Sequence, residues 1–189
     1  MRYYPALIDL TGKKCMVVGG GAIAWQKAKS LLGCGAKVWV VAPQISGRLA
    51  KSRKVRRIRR QFKPGDLKDV FLVVAATDDQ RVNRQVFEKA KKLNRLVNVV
   101  DQPALCSFIV PSVMRQGDLK VAISTSGVSP ALSRWIRLDL TKRYSRMGRV
   151  LTRMKHWRKV VHRQTSVPSL RKRKLERYLK QELKRARIR

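Results

Sequence analysis

The sequence predicts an α/β protein built on a doubly wound parallel sheet, followed by a small α+β segment and a basic helical C-terminal region. Three observations predict it. Short apolar runs at 14–18, 37–41, 70–75 and 97–100 are continuous rather than alternating, as in strands covered on both faces, and longer helical stretches separate them. A glycine run, Gly19-Gly20-Gly21, directly follows the first apolar run and opens a helical one. Beyond about residue 112 the alternation stops, and the last 49 residues carry 19 Lys and Arg against 2 acids.

Lys14–Val18 reads as a buried strand and Ala22–Leu32 as the helix after it, closed by Gly33 and Gly35. Lys37–Val41 is the second strand; a parallel neighbour requires such a crossover, and its hand is almost always right-handed. Val55–Phe62, Arg-rich in its middle, reads as an exposed or edge strand, and Pro64-Gly65-Asp66 as a turn. Val70–Ala75 is the next strand. Asp78 or Asp79 caps a helix reaching about Leu93, and Val97–Val100 is a strand that ends at Asp101. Ser107–Pro111 and Leu119–Ser124 read as two further strands joined by Arg115-Gln116-Gly117-Asp118. Ser129 is a natural cap and Pro130 fits the first helical position of a helix whose apolar face is Leu132, Trp135, Ile136, Leu140, Tyr144 and Met147. Helix continues to about His162, breaks at Gln164–Ser169 around Pro168, and resumes as a basic helix at Leu170–Arg187.

The 189 residues, 44% hydrophobic, suffice for a real core, which excludes disorder from end to end. No run approaches the roughly 18 apolar residues of a membrane span, and Met1-Arg2-Tyr3-Tyr4-Pro5 leads into no apolar leader. Cys15, Cys34 and Cys106 are scattered and odd in number, which predicts free thiols, no metal site and a cytoplasmic protein. The net charge is +34, split as +17 over residues 1–140 and +17 over the last 49. Such a field attracts polyanions: nucleic acid, an anionic membrane surface or a small polycarboxylate.

Gly19-x-Gly21-x-x-Ala24 has the form of a dinucleotide fingerprint in its proper context, a strand before it and a helix after. Gly19 makes the tight turn, Gly21 lets backbone amides approach a pyrophosphate at the helix N-terminus, and Ala24 lets helix and strand pack closely. The sheet is thus expected to be Rossmann-type. The carboxylate that usually receives the ribose hydroxyls is absent from Ala42-Pro43-Gln44; Gln44 can bond a ribose, whereas Arg48 would suit a 2′-phosphate, so the residues alone leave NAD and NADP open. Asp101 ends a strand on the edge where ligands bind in such sheets and is a candidate proton acceptor; capping or a surface ion pair are its other readings. Thr77 is placed to touch the cofactor, while Asp78 and Asp79 read as caps. His156 and His162 lie in the tail, remote in sequence from the sheet, which leaves no Ser-His or Cys-His pair there.

Seven segments in register add a resemblance: Tyr4–Leu10, Gly19–Ala24, Ala75–Asp79, Val82-Asn83, Asn98–Asp101, Cys106–Ser112 and Ser124–Ala131. Over residues 3–145 the chain resembles the precorrin-2 dehydrogenase / sirohydrochlorin ferrochelatase family, the N-terminal module of sirohaem synthase. The resemblance implies NAD-dependent oxidation of precorrin-2 to sirohydrochlorin, in many members followed by Fe²⁺ insertion at the same site, with Co²⁺ as the alternative metal. It implies a homodimer whose subunits exchange the segment after the Rossmann unit. The expected division is therefore a Rossmann NAD-binding domain at 1–112, a dimerisation segment at 113–147 and a basic helical region at 148–189.

Carried over by residue, the resemblance puts cofactor contacts at Ala22, Ile23, Pro43 and Gln44, beside the Gly19, Gly21 and Thr77 already singled out, and the catalytic carboxylate at Asp101. Substrate contacts fall on Asn98, Ser107, Phe108, Ser124, Thr125, Ser126 and Gly127. No metal ligand set is implied, since the tetrapyrrole supplies its own nitrogens, and its many carboxylates suit a positive pocket. Trp25-Gln26-Lys27 and Val128 depart from the family pattern. The chain ends without a methyltransferase module, so that step is expected from another protein. Two competing readings remain for the same sequence: a nucleic-acid or polyanion binder using the basic tail, and a non-catalytic NAD or tetrapyrrole sensor.

Overall fold

A computed structural model describes residues 3–187, so Met1 and Arg2 of the segment read against a leader lie outside it. The chain divides into two compact units, Met1–Ile109 and Val110–Arg189.

In the first unit, β1 (Lys14–Val18), β2 (Lys37–Val41), β3 (Val55–Ile58), β4 (Leu72–Ala75) and β5 (Leu96–Val99) form one parallel sheet in the order β3-β2-β1-β4-β5. Helices α1 (Ala22–Leu32), α2 (Gly47–Lys51) and α3 (Gln80–Lys92) connect them. Successive strand side chains point to opposite faces. Cys15 and Val17 of β1 therefore join Val38 and Val40 under α1, with Ala24, Ala28 and Leu31. Met16 and Val18 join Val73, Ala75, Val97 and Val99 under α3, with Val86 and Ala90. Both faces are dry, which is why the strands read as unbroken apolar runs. Burial pushes the Cys15 thiol up to about 11, with Cys34 adding to the effect; Cys15 is a core residue and no nucleophile.

Asp79 caps α3, its Oδ1 accepting the amides of Arg81 at 2.8 Å and Val82 at 3.4 Å. Several strand expectations change: the 97–100 strand is Leu96–Val99, the 119–124 strand ends at Ile123, and Arg115 and Gln116, expected in the connection, lie in the strand Ser112–Gln116. The Val55–Phe62 strand stops at Ile58, because Arg60 turns to a bidentate pair with Asp66 (2.6 and 2.8 Å) at the head of a 3-10 turn, Pro64–Leu67. The 70–75 strand begins at Leu72. Ser107–Pro111 forms no strand: it is fastened beside β5 by the Ser107 amide to Val97 O (2.8 Å) and by side-chain bonds. The short α2 was not legible in the sequence.

The second unit holds an antiparallel hairpin, β6 (Ser112–Gln116) and β7 (Leu119–Ile123), and three helices, α4 (Pro130–Arg143), α5 (Met147–Gln164) and α6 (Pro168–Arg185). The helix expected to run on to His162 is two helices, interrupted at Tyr144–Arg146. Ser129 Oγ accepts the Leu132 amide at 3.2 Å and Pro130 opens α4, as the sequence predicts. The apolar face of α4 is partly bare: Leu132 is 48% and Trp135 65% exposed. Helices α5 and α6 pack together through the stacked rings of Trp157 and Tyr178, 4.8 Å apart, and through Glu182, which is 1% exposed between Arg153 and Arg185.

Candidate functional site: a cavity at the switch point of the sheet

The chain moves outward from β1 through β2 to β3, then returns to the other side of β1 for β4 and β5. Ligands of open α/β sheets bind at such a reversal, outside the carboxyl ends of the strands. A cavity of about 840 Å³ opens there, lined by the ends of β1, β2 and β4 and the start of α1.

Its floor is the glycine turn. Gly19 has φ +129°, and a Cβ on it would meet Ala76 O at 2.2 Å. Gly20 is just as constrained: a Cβ there would meet Gln44 O at 1.8 Å. The Gly20 carbonyl accepts the Ser46 amide at 3.1 Å and the Ser46 hydroxyl at 3.3 Å, so this glycine clamps the turn to the loop after β2. Gly21 differs, since its Cβ would meet nothing within 4 Å. It stands at the N-cap of α1, where no side chain caps the helix and no acid occupies the first turn. The first amides of a helix have no intrahelical partner and attract anions. Open space over Gly21 beside an uncapped helix start fits the pyrophosphate of a dinucleotide.

Gly19, Gly21, Ala22, Ile23, Pro43, Gln44 and Thr77 all line this one cavity. Thr77 is held in place: its Oγ1 accepts the Asp79 amide at 2.8 Å and its carbonyl accepts Asn83 Nδ2 at 2.9 Å. Arg48, on α2, is not part of the lining, so the guanidinium considered for a 2′-phosphate is not brought there. Gly20 and Ser46 are site residues the sequence reading missed. The middle glycine of the run, an extra one beyond the fingerprint, was the available signal for Gly20; Ser46 carried none.

Asp101 follows β5 in the left-handed region, φ +59°. It is exposed rather than sheltered by Val99 and Val100, and it lies outside the lining of the cavity. The loop beneath it is pinned from behind. Cys106 Sγ, buried, accepts the Val99 amide at 3.2 Å and lies 3.2 Å from Gln102 O and 3.3 Å from Val99 O. Buried Asn98 donates to Phe108 O at 3.1 Å, and Ser107 Oγ accepts the Val97 amide at 2.8 Å. Three residues read as substrate contacts thus bond within the loop that carries Asp101.

Ser124, Thr125, Ser126 and Gly127 belong to the second unit. Thr125 Oγ1 accepts the Ser129 amide at 3.0 Å, Ser126 and Gly127 have φ +55° and +89°, and the Val128 amide returns to Thr125 O at 3.0 Å. The result is a tight turn with Val128 86% exposed at its tip. Among the described residues, no three of His, Cys, Asp or Glu cluster as a metal site, and no helix is long and apolar enough to cross a membrane.

The comparisons agree with this geometry. A family model described as putative NAD(P)-binding matches residues 6–112, and one described as the central part of a sirohaem biosynthesis protein matches 116–143. A siroheme synthase of Photobacterium profundum is 42% identical over 143 residues, 74% of this chain and 30% of its own length. A siroheme synthase of Nitrosospira multiformis is 38% identical over 187 residues, 95% of this chain and 40% of its own. The chain therefore spans well under half the length of these curated relatives. The solved structure of SirC, precorrin-2 dehydrogenase, superposes with a TM-score of 0.81 at 33% identity, over 93% of this chain and 88% of that one. With a dinucleotide cavity at its switch point and likeness to SirC along nearly its whole length, the chain belongs to the NAD(P)-binding family of sirohaem biosynthesis that includes precorrin-2 dehydrogenase.

Proposed function

We propose that this protein oxidises precorrin-2 to sirohydrochlorin with NAD as the electron acceptor. The observation that carries the reading is the cavity over Gly21 in a chain that matches SirC along 88% of that protein. NAD supplies the acceptor for the hydride that leaves the tetrapyrrole. The N-terminus of α1 holds the pyrophosphate through the amides that follow Gly21, and Pro43 and Gln44 flank the adenosine ribose. Gln44 bonds the ribose hydroxyls as a neutral amide, and no cation from Arg48 lines the cavity to receive a 2′-phosphate; both favour NAD over NADP.

Loss of a hydride leaves a proton to be removed, and Asp101 accepts it. Asp101 follows the carboxyl end of β5, the edge of the sheet on which the cavity opens. In the first unit, Asn98, Ser107 and Phe108 contact the macrocycle; the 124–127 turn is a separate candidate contact in the second unit. The same carboxylate serves the second step, accepting pyrrole N–H protons when Fe²⁺ or Co²⁺ enters as a substrate. Two copies pair through the bare face of α4, where Leu132 and Trp135 are exposed.

The test is anaerobic turnover of precorrin-2 with NAD or NADP, followed by sirohydrochlorin absorption and then by addition of Fe²⁺ or Co²⁺. Conversion with NAD that Asp101→Ala reduces by about 10²–10⁴-fold, the usual contribution of a positioned acid or base, supports the reading. Binding of NAD or tetrapyrrole without conversion, by folded protein, refutes it in favour of a sensor.

A further inference from the structure

Nothing in this chemistry uses α6, which carries eight Lys and Arg, more than any other element of the chain. Its packed side is Leu175, Tyr178, Leu179, Glu182 and Leu183, all buried or half-buried. At 3.6 residues per turn, Arg173, Arg177, Lys180 and Lys184 fall within about 60° of one another and point directly away from that side. All four are exposed, and none of their side chains forms an ion pair or hydrogen bond among the described residues. Of the neighbouring cations, Arg153 and Arg185 pair with Glu182, Arg171 donates to Thr165 O and Lys174 to Gln164, while Lys172 stands exposed beside the row. One exposed acid on α6, Glu176, borders the row.

We propose that this row is a docking surface for the phosphate backbone of a nucleic-acid duplex. It extends about 16 Å along the helix axis at 1.5 Å per residue. Over that length a duplex displays roughly nine phosphate charges, one per 1.7 Å. Two features favour a duplex over a membrane surface or a single strand. Membrane-surface helices set apolar side chains opposite their cations and bury them in the bilayer; here the apolar side of α6 is used against α5, and the row itself carries no large apolar residue. Single strands are held by stacking on aromatic rings, and the aromatic pair of this hairpin, Trp157 and Tyr178, is stacked on itself. What remains is backbone recognition without base contacts, indifferent to sequence.

The experiment compares the full chain with two variants that lose equal charge. One carries Arg173→Gln, Arg177→Gln, Lys180→Gln and Lys184→Gln; the other carries Arg53→Gln, Lys54→Gln, Lys91→Gln and Lys92→Gln on exposed positions of the first unit. Circular dichroism verifies that each is folded, and fluorescence anisotropy follows a labelled 20-base-pair DNA across NaCl concentrations. The α6 variant is expected to weaken binding at least about tenfold near 0.1 M salt and to lower the slope of log K against log[NaCl] by about 3 to 4, near 0.9 per lost phosphate contact. The other variant is expected to stay near wild type. Equal losses in both variants would overturn the proposal, leaving only the +34 net charge at work. So would tighter binding to vesicles containing phosphatidylserine than to the duplex, or no binding by the wild-type chain at 0.15 M salt.

Discussion

Cys106 Sγ accepts the backbone N–H of Val99 at 3.2 Å, across the loop that carries Asp101. Val99 is on an edge strand, and its outward amide has no ladder partner on that side. The thiol also reaches Gln102 O at 3.2 Å, so both ends of the turn holding Asp101 at φ +59° are tied to one buried atom. Cys106→Ala leaves the Val99 amide unpartnered, at a cost of about 1–3 kcal/mol. The prediction is a turnover lowered about tenfold or more with NAD affinity kept, because residues 98–108 are not part of the dinucleotide cavity. Cys106→Ser should recover much of the loss. Steady-state kinetics alongside an NAD titration checks it; equal loss of both parameters would mean a general structural defect.

Two glycines of the turn, Gly20 and Gly21, should separate in their responses. Gly20→Ala drives a methyl into the Gln44 carbonyl, a backbone atom that cannot step aside, and is expected to destabilise the fold by a few kcal/mol. Gly21→Ala meets open space and has φ −89°, so its thermal midpoint should stay near wild type. The added methyl stands in the space over the uncapped helix start, and NAD affinity should fall by tenfold or more. Thermal scans with and without NAD distinguish the two variants.

The sheet was legible because its central strands are buried on both faces: Cys15–Val18 and Val73–Ala75 admit no polar residue, unlike the edge strand β3 with its exposed Arg56 and Arg57. The glycine turn was legible because Gly19 cannot carry a side chain against Ala76 O. Strand limits were less so. Arg60 abandons its strand for Asp66, and Ser107–Pro111 bonds to β5 through a hydroxyl and an amide side chain, neither of which leaves a periodic trace. Asp101 was placed correctly at its strand end, yet its exposure was not readable, since burial depends on what surrounds the loop rather than on Val99 and Val100 beside it.

Glu182 makes the α5–α6 pair sensitive to acid. The Arg153 guanidinium at 2.8 Å, with Arg185 at 2.8 Å on the other oxygen, holds its carboxyl below the ordinary carboxylate range, against the opposing effect of burial. A depressed folded pKa gives stability that is present above the unfolded value, about 4.3 for Glu. That stability is lost as pH falls through the folded value. The thermal midpoint followed by circular dichroism should therefore drop from pH 5 toward pH 3. Glu182→Gln should lower it at pH 7 and flatten the acid limb relative to wild type, because the variant has no proton to take up at this position. A variant with the same acid limb as wild type would place the titrating group elsewhere.

Helix α4 leaves Leu132, Trp135 and Leu138 between 48% and 65% exposed on successive turns, with Val128 at 86% on the turn before it. A continuous apolar strip of this kind on one helix marks an association surface more often than a solvated one. Trp135 is the large aromatic at its centre, the residue type that most often carries the energy of an interface. If two copies pair through this strip, Trp135→Glu places a charge in the contact that water can no longer reach, and the dimer should dissociate by a factor of about 10² or more. Light scattering coupled to size exclusion, run across protein concentration, measures it directly. Lys142→Gln, an exposed change that also shifts the charge by one unit farther along the same helix, should leave the mass unchanged. A wild-type chain that is monomeric at every concentration, or a Trp135→Glu variant that remains dimeric, would remove α4 as the pairing surface.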